Sequence, residues 1–379
     1  MGVRELPVYA RLALDVVGAQ GSELILGDGR RVLDLYGGHC VNTLGAGDDE
    51  VAAAFTEQWR RLSFVTNLLD HEPREAFLEA LGANLPAGEW CVFLSNSGAE
   101  ANENALKAAL SSTGRGRVAC FEGAFHGRTA AAAAISDLSR TGFPAAPFEV
   151  LRLPWGDAAA ARAAIDESLA AVVLEPMQSM AGVRMPPVGF LSELRRCCSE
   201  AGAALVFDEV QTGNGRTGRP WAAQTFEVTP DILVTAKGAA GGLPIGITVL
   251  SAGLAADLPD GILGSTFGGG PTVLAAATVV QRRIGDPAFA EHVNTVSGAL
   301  REAALRGPVS EVRGAGLLLG LVLAEGFDAG GLRGALLERG VLAGTSNDPR
   351  VLRLSPPLTL SLEEAARLGV ALDSLDIPS

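Results

Sequence analysis

The residues best suited to chemistry lie between Ala204 and Gly242. An apolar run, Ala204 to Phe207, ends on the acid pair Asp208–Glu209; a Gly-rich loop, Gly213 to Gly218, follows; a second apolar run, Ile232 to Ala236, delivers Lys237 into a cluster of glycines. Both runs are short, rich in branched residues and bounded by turn formers, so they read as buried parallel strands. In open α/β sheets ligands sit beyond the carboxyl ends of the strands, where Asp208 and Lys237 would both stand. An acid and an amine so placed suit a lysine Schiff base with pyridoxal phosphate, whose ring nitrogen faces a carboxylate. Taken alone, the stretch also allows a strand-terminal lysine paired with a carboxylate. Only two lysines occur, Lys107 and Lys237. Lys107 lies in a helical pattern and reads as a surface charge, whereas Gly238, Gly241 and Gly242 leave room beside Lys237 for a second group.

The elements that must hold these residues follow from the pattern. Strands alternate with helices from about 90 to 250, the mark of a parallel, doubly wound α/β sheet. Candidate strands are Trp90 to Leu94, Val118 to Phe121 and Val172 to Leu174; candidate helices are Asp48 to Leu62, Pro73 to Leu85, Ala99 to Leu110 and Leu191 to Ala201. SELIL and RVLDLY around Gly27-Asp28-Gly29 predict a hairpin. After Leu250 a glycine loop (Gly268 to Gly270) precedes helices at 272–284 and 287–305. Strand-like pieces at 309–313, 317–323 and 351–354 then lead to a last helix from Leu362 to about Leu375, giving an α+β lobe. The expected division is an N-terminal segment, 1–47, joining the small lobe, a large domain, 48–268, and a small terminal domain, 269–379.

Composition bounds the function. The formal charge is −13 and basic residues are scattered, which argues against a nucleic-acid or anionic-membrane partner. Five cysteines without CxxC spacing suggest reduced thiols, and four dispersed histidines predict no metal site. Met1 to Gly21 carries charges unsuited to a signal peptide or membrane span. A cytoplasmic, soluble protein is expected.

Two further segments offer chemistry. Ser97, Gly98 and Ala99 lie at a strand-to-helix turn, where free N–H groups and the helix dipole bind anions; an ordinary serine N-cap supported by Glu100 is the alternative. In Phe125-His126-Gly127-Arg128-Thr129, Phe125 can cover a flat ring or join the core, and Arg128 offers a bidentate grip on a carboxylate or a plain surface charge.

NSGAEANENALKAA (96–109), FHGRT (125–129), EPMQ (175–178), DEVQTGNGRTG (208–218), PDILVTAKG (230–238), STFGGG (265–270) and LRLSPPLT (352–359) occur in an order that resembles the class III, fold-type I, pyridoxal-phosphate aminotransferases, most of all the acetylornithine aminotransferases of arginine biosynthesis. The resemblance covers essentially the whole chain. It implies that Lys237 carries the cofactor and moves the proton, and that Asp208 keeps the ring nitrogen charged. Gln211 would meet the ring hydroxyl, Val210 and Phe125 the two ring faces, and Ser97, Gly98 and Ala99 the phosphate, with Glu209 counted in the same cofactor-binding run. Thr266 resembles a phosphate ligand supplied by a partner subunit, with Ser265 beside the substrate, which implies a homodimer with shared active sites. Arg128 resembles the clamp for the amino donor's carboxylate and Arg353 the clamp for 2-oxoglutarate.

The implied reaction moves the terminal amino group of an N-acylornithine-type donor to 2-oxoglutarate, giving a semialdehyde and glutamate. The chain departs from the family at His39-Cys40, at 44–49, at Gly270 and at Ser179-Met180-Ala181-Gly182, where a Gly-Glu-Gly-Gly run ordinarily masks the second arginine. Other readings are related ω-aminotransferases (for succinylornithine, succinyl-diaminopimelate, carrier-linked aminoadipate semialdehyde or 4-aminobutyrate), a mutase, decarboxylase or epimerase with the same cofactor, a catalytically silent homologue, and a nucleotide-binding loop at GNGRTG (213–218), which lacks GxxxxGK[ST].

Overall fold

The computed structural model describes residues 2–138, 143 and 145–375. Its centre is a seven-stranded sheet in the order Trp90–Ser95, Gly246–Ser251, Ile232–Ala236, Ala204–Asp208, Leu169–Leu174, Arg117–Phe121, Glu149–Leu153. Gly246–Ser251 runs antiparallel to both neighbours, and the five strands beyond it are mutually parallel. This is the mainly parallel α/β sheet expected, with one reversed strand.

The sheet is apolar on both faces because helices cover both. Leu205, Phe207, Val172 and Leu174 pack into one core with Phe77, Leu81, Phe190 and Leu194 of the helices Glu72–Asn84 and Phe190–Ala201. The alternate residues, Ala204, Val206, Ala171 and Val173, face a second core with Ala101, Ala105, Ala108 and Ala109 of the helix Gly98–Thr113. That helix presents methyl groups to the sheet, so its axis and its N-terminus lie close to the strand ends.

A third core unites both ends of the chain. The strands Val16–Gln20, Glu23–Leu26 and Arg31–Asp34 form one sheet with Val341–Leu342. Leu33 and Leu35 pack with Val296, Leu319, Leu352 and Leu368. A second four-stranded sheet, Val309–Ala315, Leu318–Leu323, Val351–Leu354 and Gly344–Thr345, carries Arg353. The helix Pro271–Ile284 packs against the helices Asp49–Arg61 and Glu72–Asn84, so Leu274 and Ala277 belong to the core of the large sheet.

The GNGRTG loop clasps the two bodies together. The buried Arg216 donates to the carbonyl oxygens of Leu317 and Pro356, while its own carbonyl accepts from Leu317 N. Both bonds come from Nη1, a tie between backbone segments, while Nη2 is buried with no hydrogen-bond partner among the described residues. The helix Ala329–Glu338 and the strands Val16–Gln20 and Glu149–Leu153 have no counterpart in the sequence reading. Three glycines lower the helix propensity of AGGLRGALLE, and burial of Leu332 and Leu336 decides its conformation.

Candidate active site

The strand Ala204–Asp208 alternates its side chains, so Asp208 falls on the face of Ala204 and Val206, toward the helix Gly98–Thr113. There its Oδ2 accepts from Asn102 Nδ2 at 2.8 Å and meets His126 Nδ1 at 2.7 Å; its Oδ1 accepts from Val210 N at 3.0 Å. Asn102 Nδ2 also donates to the His126 carbonyl at 2.9 Å. The carboxylate is buried and held from three elements. The motifs 96–109 and 125–129 contain Asn102 and His126, but nothing local marks their role, since their partner lies some 80 to 110 residues away in sequence.

Glu209 is a correction. One residue further along, its side chain leaves on the opposite face and accepts from Ala222 N (2.6 Å), Ala223 N (2.8 Å) and Thr212 Oγ1 (3.3 Å). It supports the turn Ala222–Thr225 and does not border the cavity. Burial raises its pKa to about 7.

Lys237 follows the neighbouring strand Ile232–Ala236 with φ +43°, a left-handed conformation that costs an L-residue about 1–2 kcal/mol. It opens the 3₁₀ turn Lys237–Ala240. Its neighbour must be glycine: a Cβ on Gly238 would stand 2.1 Å from Thr43 Oγ1 and 3.0 Å from the Cys40 carbonyl. Burial lowers the Lys237 pKa, which favours the free amine, a nucleophile.

Ser97 caps the 16-residue helix Gly98–Thr113, accepting from Glu100 N, and the unpaired first-turn N–H groups border the same cavity as Asp208 and Lys237. Two glycines let these pieces meet. A Cβ on Gly98 would lie 3.0 Å from a Val210 methyl, and one on Gly127 would lie 2.8 Å from Ala99 Cβ.

The cavity is ≈ 510 Å³ and is lined by Ser97, Gly98, Ala99, Phe125, Arg128, Asp208, Val210, Gln211 and Lys237, a size suited to a small cofactor and substrate. Asn102, His126 and Glu175 border it too. Glu175 accepts from Phe125 N at 3.0 Å and Ser179 N at 3.2 Å, and burial raises its pKa to about 7. Arg128 is exposed at one side, its guanidinium 5.9 Å from the Phe125 ring centre and its Nη1 3.4 Å from the Tyr9 hydroxyl.

Arg353 does not border this cavity. It is buried behind Gln211, whose Oε1 accepts from Arg353 Nη1 (3.3 Å) and from Ser179 Oγ (3.1 Å), leaving the Gln211 amide N–H groups for the cavity. Ser265 and Thr266 also lie outside it. Ser265 Oγ accepts from Gly268 N (2.9 Å) and Asn96 Nδ2 (3.3 Å), and Thr266 is exposed beside the exposed Phe267.

An amine and a carboxylate on adjacent strand ends, orphan helix N–H groups, and Phe125 and Val210 on the cavity wall together fit a flat aldehyde cofactor with a phosphate arm, pyridoxal phosphate. No helix among the described residues is long and apolar enough to cross a membrane.

Comparisons with known proteins agree with this geometry. The family model for "Aminotransferase class-III" matches residues 7–374. The chain is 38% identical to acetylornithine aminotransferase of Rhodobacter capsulatus, covering 98% of each chain. It is 41% identical to acetylornithine aminotransferase of Mycolicibacterium smegmatis, over 93% of this chain and 91% of the other. Among solved structures, N-acetylornithine aminotransferase of Stenotrophomonas maltophilia aligns with a TM-score of 0.83 at 31% identity, covering 97% and 98%. Ornithine aminotransferase of Toxoplasma gondii, a structure with pyridoxal phosphate at the active site, aligns with a TM-score of 0.87 at 27% identity, covering 96% and 89%.

Proposed function

Since the chain belongs to the class-III aminotransferases, we propose that it moves the terminal amino group of an N-acylornithine-type donor to 2-oxoglutarate, forming a semialdehyde and glutamate. The observation that carries this reading is the convergence of Lys237, the Asp208–His126–Asn102 network and Arg128 on one cavity.

The enzyme is a pyridoxal-phosphate-dependent transaminase. When bound, the cofactor supplies an electron sink for the carbanion formed at the amine-bearing carbon. The protein supplies the rest. Lys237 Nζ, its charge disfavoured by burial, would take the aldehyde carbon and later move the proton between substrate and cofactor. Asp208, oriented by Asn102, His126 and Val210 N, would hold the proton on the ring nitrogen. Phe125 and Val210 would cover the ring faces, Gln211 would donate to the ring oxygen, and the N–H groups of Gly98 and Ala99 with Ser97 would hold the phosphate. Arg128, exposed at the cavity edge, would bind the donor's carboxylate, and Arg353, set behind Gln211, would attract that of the acceptor.

The exposure of Thr266, outside the cavity of its own chain, supports a homodimer in which it and the neighbouring Ser265 complete the partner's site. Glutamate should form from 2-oxoglutarate with N-acetylornithine in a screen that also holds N-succinylornithine, ornithine, N-succinyl-diaminopimelate and 4-aminobutyrate. If no terminal amine yields glutamate, the reading fails.

A further inference from the structure

Four consecutive residues, Gly37, Gly38, His39 and Cys40, take left-handed φ values of 55°, 59°, 63° and 68°. Glycine tolerates this; histidine and cysteine do so at a cost of about 1–2 kcal/mol each. The turn is pinned at both ends. Asp34 Oδ1 accepts from Tyr36 N and Gly37 N, both at 2.9 Å, and the Gly37 carbonyl accepts from Val41 N and Asn42 N. Strain retained in this way marks a segment whose side chains are needed where they stand.

Tyr36, which leads into this turn, meets a buried cation. Arg353 Nε donates to the Thr345 carbonyl (3.0 Å), Nη1 to Ser179 Oγ (2.8 Å) and Gln211 Oε1 (3.3 Å), and Nη2 to the Tyr36 hydroxyl (2.9 Å). Every one of these acceptors is neutral, and no carboxylate among the described residues pairs with Arg353. One of the five N–H groups, on Nη2, has no protein acceptor among the described residues.

A guanidinium can only donate, so the Tyr36 oxygen accepts from it, and its own O–H is left to donate to His39. Its nearer ring nitrogen is Nδ1 at 2.6 Å, with Nε2 at 3.2 Å. With the Tyr36 proton assigned to Nδ1, His39 is neutral and carries its own proton on Nε2. The surroundings agree. Loss of water around the ring, then Arg353, Lys237 and Arg128, lower its pKa to about 4, although the side chain is exposed in the single chain.

We propose that Tyr36 and His39 determine specificity for the acceptor: the neutral pair holds Arg353 in place as an un-neutralised cation, and His39 Nε2–H is a second donor to the same substrate carboxylate. The substrate class is a 2-oxo acid with two carboxylates, one for Arg353 with His39 and one for Arg128. This rests on the acceptor role given to Arg353 above.

The test uses holoenzyme and the variants Tyr36→Phe, His39→Ala and His39→Gln, the last keeping an N–H donor at similar reach. Two readouts are needed: KM for 2-oxoglutarate against KM for the amino donor, and calorimetric affinity for glutarate, an unreactive dicarboxylate. A lost charge-assisted hydrogen bond predicts about a tenfold rise in acceptor KM and glutarate Kd for Tyr36→Phe and His39→Ala. Donor KM should not follow, and His39→Gln should stay within about threefold of wild type. An unchanged glutarate affinity in His39→Ala, or acceptor and donor KM rising together, overturns the inference. A wild type that binds glutarate as expected but yields no glutamate from any amine refutes the proposed reaction and leaves this anion site standing.

Discussion

Asn102→Ala removes one side chain that touches no reacting atom in the scheme above, and so isolates the orientation of Asp208. The Asn102 amide donates at 2.8 Å to a buried carboxylate oxygen and at 2.9 Å to the His126 carbonyl. A hydrogen bond to a charged group contributes about 1.5–3 kcal/mol and one between neutral groups about 0.5–1.5 kcal/mol, so roughly 2–4.5 kcal/mol of stability is at stake. Asp208 would keep Val210 N and His126 but lose the donor that fixes Oδ2 from the helix side. Looser orientation worth about 1.4 kcal/mol corresponds to about tenfold weaker cofactor binding. Urea unfolding of the cofactor-free protein measures the first effect, and an absorbance titration with pyridoxal phosphate the second. The reasoning is refuted if the variant unfolds within about 0.5 kcal/mol of wild type and binds the cofactor within about twofold.

Gly238→Ala drives a Cβ to 2.1 Å from Thr43 Oγ1 and 3.0 Å from a backbone oxygen; overpacking of about 1–3 kcal/mol is expected, with lower cofactor occupancy. Thr43→Ala in the same chain should recover part of that loss, a non-additivity that a double-mutant cycle reads directly. Glu175 is buried, with a pKa raised from 4.5 to about 7. A carboxyl whose folded pKa lies above its unfolded one contributes stability below the unfolded pKa and loses it as pH rises through the folded one. Glu175→Gln should therefore gain roughly 3 kcal/mol relative to wild type between pH 4 and pH 8, in unfolding experiments at each pH; a pH-independent difference would refute the raised pKa.

What the sequence by itself determined is local or repeated along the chain. Short branched runs ending in Asp208 and Lys237 predict parallel strands, because a strand covered on both faces has no polar side to display, and Ala204–Asp208 and Ile232–Ala236 pair as such. Alternation also separates Glu209 from Asp208, since adjacent residues leave a strand on opposite sides. The tertiary structure alone decided which distant groups meet. Asn102 and His126 reach Asp208 because the alanine face of one helix lets it lie close on the sheet. Arg353 acquires Tyr36, more than 300 residues away, because the first strands of the chain share a sheet with residues near its end. No periodicity records such encounters: they depend on how two cores pack, and packing is a property of the whole chain's shape.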